Sequence, residues 1–209
     1  MRRIIEKVVK AYGGRESLQK VKSIYAKGRI AAFAFGEEGM YVRHFERGRR
    51  LRVDIDYPNS SEHRILNGSK GYEGGSEVTG DRYLAMVYQY KQLDLPYGLL
   101  HNDYRITYEG QEQVDGNETE VLGLIDKEGP PMKIYIDPKT FYLVKVSGEF
   151  LMGGGTVALS AVFAEFRKVD GIYLPCRITN FADGQRIAET HIREYEVNTP
   201  MTESLFDPR

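Results

Sequence analysis

The stretch Arg49-Arg50-Leu51-Arg52-Val53-Asp54-Ile55-Asp56-Tyr57 decides the fold. Leu51, Val53, Ile55 and Tyr57 alternate with Arg50, Arg52, Asp54 and Asp56, so an extended chain carries one apolar face and one charged face. Such a strand belongs to an antiparallel sheet with one side on a core and the other in water. Outward from there, a period near 2 runs from Ser23 to Val197, punctuated by Asn67-Gly68, Asp115-Gly116, Asp137-Pro138-Lys139-Thr140, Asp170-Gly171 and Asp183-Gly184. The candidate strands are Ser23 to Phe35, Gly39 to Arg47, Arg49 to Tyr57, Glu62 to Leu66, Asp103 to Glu109, Glu118 to Asp126, Met132 to Ile136, Phe141 to Leu151, Thr156 to Arg167, Ile172 to Asn180 and Gln185 to Val197, about eleven in all. Several exceed the usual ~5–6 residues, and long bent strands are what a curved sheet or open barrel requires.

Three segments read as helical instead, two before the β rhythm begins and one that breaks it. Between Arg3 and Tyr12, Ile4, Val8 and Tyr12 fall on one helical stripe with Ile5 and Val9 beside it, and Gly13-Gly14 supplies the stop. A second short helical turn follows over Arg15 to Val21. Thr79 to Leu95 reads as a longer helix, with Thr79 or Asp81 as N-cap and Pro96 closing it. Tyr83, Leu84, Ala85, Met86, Val87, Tyr88, Tyr90, Leu93 and Leu95 surround much of its circumference, which predicts a helix buried on more than one side, a plug or lid inside the curve of the sheet. No repeat, low-complexity stretch or linker divides the chain, so residues 1–209 are expected to form one mainly β domain: a large curved antiparallel sheet with short helices over one face.

Composition narrows the function. Apolar residues make up 41% of the chain, enough to support a core, and 29 Lys and Arg nearly cancel 30 Asp and Glu. That balance removes the electrostatic argument for nucleic acid or an anionic surface. No apolar run reaches the roughly 20 residues of a membrane span. Fifteen Tyr and nine Phe with no Trp suit half-wet walls and cavity rims. Cys176 stands alone, which excludes an intrachain disulfide and a cysteine metal site. The start, Met1-Arg2-Arg3-Ile4-Ile5-Glu6, has neither the apolar core nor the cleavage site of a secretory signal, which leaves a cytosolic protein or a processed form.

A search for catalytic chemistry finds little. His44, His63, His101 and His191 are scattered without metal-ligand spacing. Asp54 and Asp56 share a strand face, but so do Arg50 and Arg52, and an ion-pair ladder accounts for all four. There is no Gly-x-Ser-x-Gly elbow, and Gly153-Gly154-Gly155-Thr156 lacks the lysine and helix of a phosphate loop. What remains is apolar surface: Thr156 to Arg167 carries Val157, Leu159, Ala161 and Phe163 on one face and Ala158, Val162, Ala164 and Phe166 on the other. Either both faces are buried or one lines a cavity, and periodicity does not distinguish the two.

Three further groups of residues carry a resemblance. Ile134-Tyr135-Ile136-Asp137-Pro138-Lys139-Thr140, Val169-Asp170-Gly171-Ile172-Tyr173-Leu174-Pro175, and Tyr195-Glu196-Val197-Asn198 with Leu205-Phe206-Asp207-Pro208 resemble the C-terminal part of the periplasmic lipoprotein carrier and sorting superfamily, the LolA/LolB-like proteins. Tyr12-Gly13-Gly14-Arg15-Glu16-Ser17-Leu18, running through Val21-Lys22-Ser23-Ile24 to Gly28, resembles the opening of secreted members. The resemblance implies an open half-barrel covered on its concave side by helices. It also implies a non-enzymatic carrier of a lipid or lipoprotein acyl chain, without cofactor or metal, located in the periplasm or at the outer membrane with its signal removed. The alternative on the same scaffold is an envelope-stress sensor or protein-interaction module with an envelope protein as partner. On that reading Leu51, Val53, Ile55, Ile106, Tyr108, Ile134, Val144, Val146, Leu159 and Phe163 line the cavity from the sheet. Tyr83, Leu84, Val87 and Tyr88 face them from the lid helix.

Overall fold

The computed structural model describes residues 1–101, 104–126, 129–152 and 154–208. In chain order it contains α1 (Arg2–Ala11), α2 (Arg15–Lys20), β1 (Ser23–Ala32), β2 (Glu37–Glu46), β3 (Arg50–Asp56), β4 (Ser61–Asn67), β5 (Lys70–Glu73), β6 (Ser76–Val78), α3 (Gly80–Gly98), β7 (Arg105–Val114), β8 (Asn117–Ile125), β9 (Met132–Ile136), β10 (Leu143–Met152), β11 (Gly155–Val169), β12 (Ile172–Ala182) and β13 (Gln185–Val197), with a final 3-10 turn at Glu203–Phe206. All thirteen strands form one antiparallel sheet in the order β6-β5-β4-β3-β2-β1-β13-β12-β11-β10-β9-β8-β7. Consecutive strands are neighbours except β6 and β7, which stand at the two edges of the sheet, and the last strand, β13, pairs with the first, β1. β1 and β13 therefore form the middle, and two meanders spread from them as wings. The sheet does not close into a barrel.

Local chemistry makes these hairpins. At Asp115-Gly116, Asp170-Gly171 and Asp183-Gly184 both residues have positive φ, the twist that a two-residue hairpin needs. Asp137 shapes its own turn, its carboxylate accepting from the Lys139 amide at 2.9 Å and the Thr140 hydroxyl at 2.8 Å. Phe141, expected to begin a strand, instead sits at φ 60° as the end of that turn, so β10 starts at Leu143. β5 and β6 were not anticipated, because Gly71, Gly74 and Gly75 interrupt any alternation in strands this short. The expected first residue of the following strand, Asp103, and Gly153 of the glycine run lie outside the described residues.

The helices are set by their apolar stripes. α1 buries Val8 and Val9, and its C-terminal end rests on the β11–β12 hairpin. Gly13 is required there: at φ 111°, any Cβ would lie 2.1 Å from the Gly171 carbonyl oxygen. α3 runs through Pro96 to Gly98 rather than ending before it. A proline in the last turn gives up one amide donor, and Leu99 still donates to Leu95 at 3.0 Å. Thr79 is the N-cap of α3 by position, with no side-chain cap bond. Among the described residues no helix is long and apolar enough to cross a membrane.

Candidate functional site

α3 spans the concavity as a strap. On one side it packs on β4 and β5, on the other on β10. Two tyrosines on nearly opposite sides of the helix fasten it. The Tyr88 hydroxyl donates to the carbonyls of Val146 and Leu159, both at 3.2 Å, and its ring meets Phe150 edge-on. The Tyr90 ring stacks on Phe45 while its hydroxyl accepts from the Arg49 amide at 3.1 Å. This explains why the helix is apolar around so much of its circumference. Burial raises the pKa of both phenols, so both stay protonated hydrogen-bonding groups.

Charges latch the C-terminal half of the helix. Asp94, 8% exposed, lies 3.7 Å from the Arg47 guanidinium, and Lys91 lies 2.6 Å from Asp126. Arg47 also donates to the carbonyls of Leu18 and Val21 and covers the Tyr97 ring. One side chain thus ties α2, α3 and the end of β2 together. Desolvation lowers the Arg47 pKa, with Asp94 and the nearby tyrosines working against it.

Beneath this strap the two halves of the concave face differ. Under β8, β9 and β10 it is filled: Leu122, Leu124, Ile134, Ile136 and Val146 all have no exposed surface. Over β1, β2, β12 and β13 it is hollow. A cavity of about 400 Å³ lies there, within the roughly 300–1,000 Å³ of small-molecule sites, bounded by Ile30, Tyr41, Phe163, Ile178 and Ala188 from the sheet and Tyr88 from α3. The cause is side-chain size. Ala26, Ala32, Ala188, Thr190 and Asn180 occupy positions facing inward, and residues that small do not fill the roughly 10 Å between a sheet and a packed layer. Phe35 stands at the mouth, 74% exposed at the tip of the β1–β2 hairpin.

Deep in the hollow is Arg43, 4% exposed. It lies in register with Ala26, which lies in register with Tyr195 on the far side. The alanine between them lets the guanidinium and the phenol approach across a strand. Burial works against the Arg43 charge, but interactions with the Tyr41 and Tyr195 hydroxyls outweigh it and raise the pKa. Burial likewise pushes the Tyr195 phenol up to about 12, and its hydroxyl donates to the Pro175 carbonyl at 2.6 Å.

The positions expected from the sequence distribute as follows. Ile55, Leu159 and Phe163 line the hollow, and Tyr88 faces them. Leu51, Val53, Ile134, Val146 and Val87 belong to the packed core, with Tyr83 and Leu84 partly buried against it. Ile106 also packs at the core's edge and borders a wider recess beside α1, whose walls mix Ile5, Val9, Leu99 and Leu100 with the charged Arg2, Glu6, Lys10 and Arg15. Tyr108, on the edge strand β7, is 51% exposed and donates to Glu120 at 2.7 Å. Val144 packs with Val114, Val121 and Tyr135 on the other face of the sheet. A bulge between Leu143 and Lys145 turns it outward, because two residues there oppose one on β9. Glu165 takes a left-handed backbone conformation, φ 58°, and Phe166 just beyond it packs inward onto Tyr12 and Tyr142, not outward with Ala164. Ile30, Ala32, Arg43, Asn180, Ala188 and Thr190 were missed. The signal that could have found them is the run of small and polar residues at inward positions of otherwise apolar strands.

An open sheet with a strapped helix over an internal hollow defines a helix-covered half-barrel. No family model matches the chain, and no curated protein matches its sequence. Solved structures do match. A DUF1329 family protein from Desulfovibrio piger aligns at TM-score 0.59 and 11% identity, over 98% of this chain and 96% of its own. A domain designated for outer membrane lipoprotein sorting, from Vibrio parahaemolyticus, aligns at 0.58 and 11%, over 98% and 95%. A LolA superfamily protein from Nitrosomonas europaea aligns at 0.57 and 15%, over 98% and 96%. The chain has the LolA-like fold, and at these identities the likeness speaks for the fold alone.

Proposed function

We propose that the chain is a non-enzymatic carrier or binding protein for a hydrophobic ligand, a lipid or a lipoprotein acyl chain, in the bacterial cell envelope. The observation that carries this reading is the hollow of about 400 Å³ under α3, walled largely by apolar side chains in a molecule whose other concave half is closely packed. The likeness to a lipoprotein-sorting domain and to a LolA superfamily protein supports the same reading, and supports the periplasm or outer membrane as its location. Binding of this kind needs no covalent step. Apolar ligand surface leaves water at a gain of about 25 cal/mol per Å², and displacement of the strap lets the ligand in and out. The whole chain acts as one binding domain, with the middle strands as floor and α3 as lid.

Native mass spectrometry of protein purified without detergent, followed by organic extraction, tests this. A stoichiometric lipid or fatty acid is the expected result. A clean apo mass together with no uptake of a fluorescent alkyl probe at micromolar protein overturns it, and directs attention to a protein partner instead.

A further inference from the structure

Arg43 is the anomaly of the hollow. A buried arginine is normally paired with a carboxylate, because an uncompensated buried charge costs several kcal/mol. Among the described residues Arg43 has no such pair: its polar neighbours are two tyrosine hydroxyls, and its Nε has no hydrogen-bond partner. Counting the charged residues that bound the hollow gives Arg43, Arg64 and Glu62. Glu62 is 3.6 Å from Arg64 on the same strand, and both are partly exposed, so the charges of that pair offset each other at the wall. Arg43 is left over, and the hollow carries a net positive charge in an apolar setting. Arg43 and Arg64 are also in register, each opposite Val53, which puts two guanidiniums on one row about 10 Å apart. Arg43 lies deep as well. Ala26 beside it is six residues from Ala32 at the hairpin end, about 20 Å of strand.

We propose that the hollow takes a single-chain amphiphile whose anionic oxygen head, a carboxylate or a phosphate monoester, is held by Arg43. The proposal rests on the carrier reading and specifies its ligand. The fork of guanidinium donors matches the geometry of either oxyanion. The Tyr41 and Tyr195 phenols lie beside the fork, and the unpartnered Nε gains an acceptor. The alkyl chain then runs along Ile30, Phe163 and Ile178 towards the mouth at Phe35. A neutral chain of the same length fills the same apolar walls but leaves Arg43 as it is.

The test uses delipidated full-length protein and three ligands of equal chain length, dodecanoate, dodecyl phosphate and dodecanol, titrated by calorimetry at neutral pH. The expected result is that at least one anion binds about 10- to 100-fold tighter than the alcohol, the size of a charge-assisted hydrogen bond in a dry site. Whichever anion is preferred identifies the source of the head group, and either preference supports the proposal. Arg43→Met should remove the preference while leaving dodecanol binding within about threefold, and Arg43→Lys should restore part of it. Equal binding of all three ligands by the unsubstituted protein overturns the proposal and leaves the carrier reading standing. Failure of all three to bind overturns both.

Discussion

The two halves of the concave face are built from the same sheet and covered by the same helix, yet one is a packed core and the other a hollow. On β8, β9 and β10 the inward positions are Leu122, Leu124, Met132, Ile134, Ile136 and Val146, whose branched or flexible side chains interlock under α3. On β1, β13 and β12 Ile30 and Ile178 share the inward face with Ala32, Ala188, Thr190 and Asn180, and these short side chains leave space beneath the helix. The helix does not sag into the gap because Tyr88 and Tyr90 hold it to the two walls. The difference teaches that a ligand space in this fold comes from under-filled strands beneath a helix propped at its sides. It does not come from extra apolar surface, which both halves have.

The strongest way to break that contrast is to exchange the chemistry of the halves. Leu124→Ala or Ile134→Ala should lose about 2–5 kcal/mol of stability in urea unfolding, the cost of a cavity in a filled region, with alkyl probe uptake unchanged. Ala188→Leu on the hollow side should cost less than about 1 kcal/mol, since the new methyl groups enter space already present, and should weaken probe uptake at least about tenfold. Equal destabilisation by both kinds of substitution would mean that the halves are packed alike.

The props come next. Asp94→Asn removes the carboxylate facing Arg47 and should cost about 2–3 kcal/mol, somewhat less than a wholly dry pair because both groups keep some contact with water. If the latch holds the strap down, hydrogen exchange over α3 should rise in this variant more than over β8 or β9. Tyr88→Phe should cost about 1 kcal/mol, the net worth of its hydroxyl's hydrogen bonding, and should speed probe release.

The smallest effect separates the hollow from the opposite face of its own strand. His44 alternates with Arg43 on β2 and so faces away from the hollow, and burial lowers its pKa, with Asp54 opposing and Arg52 reinforcing. A folded-state value below the ordinary imidazole value of about 6.5 means that the unfolded chain takes up the proton first as pH falls. Stability should therefore decline as pH drops below about 6.5, and His44→Phe should flatten that decline in thermal melts. Uptake of a neutral alkyl probe should not follow the same curve. Asp54, whose pKa is held down by hydrogen bonds from Arg52 and His63 against the effect of burial, acts in a separate window: its contribution is present above the ordinary carboxylate range and is lost in acid below it.

Much of the fold was legible because the signals are local. The alternation at Leu51, Val53 and Ile55, the Asp-Gly pairs and the stripe at Ile4, Val8 and Tyr12 each follow from neighbouring residues alone. Backbone irregularities were not legible, and they decide facing. Val144 changes face through one extra residue on its strand, and Phe166 follows the left-handed backbone at Glu165. Tyr108 shares the inward face of its strand, but β7 is the edge and nothing covers it there. The hollow was half legible: Ile55, Leu159, Phe163 and Tyr88 stand out as apolar, whereas Arg43 and the alanines around it do not announce a cavity until the strands are brought together.

By itself the sequence determined the strand and helix periods, the turns and the two-sided burial of α3, since each depends on backbone preference and side-chain polarity within a few residues. The tertiary structure alone decided which strands lie at the centre, which apolar positions meet a partner and which meet empty space, and that Ala26 seats Arg43 beside Tyr195. Register and packing join residues 26, 43 and 195 across three strands, and no property of any one segment carries that information.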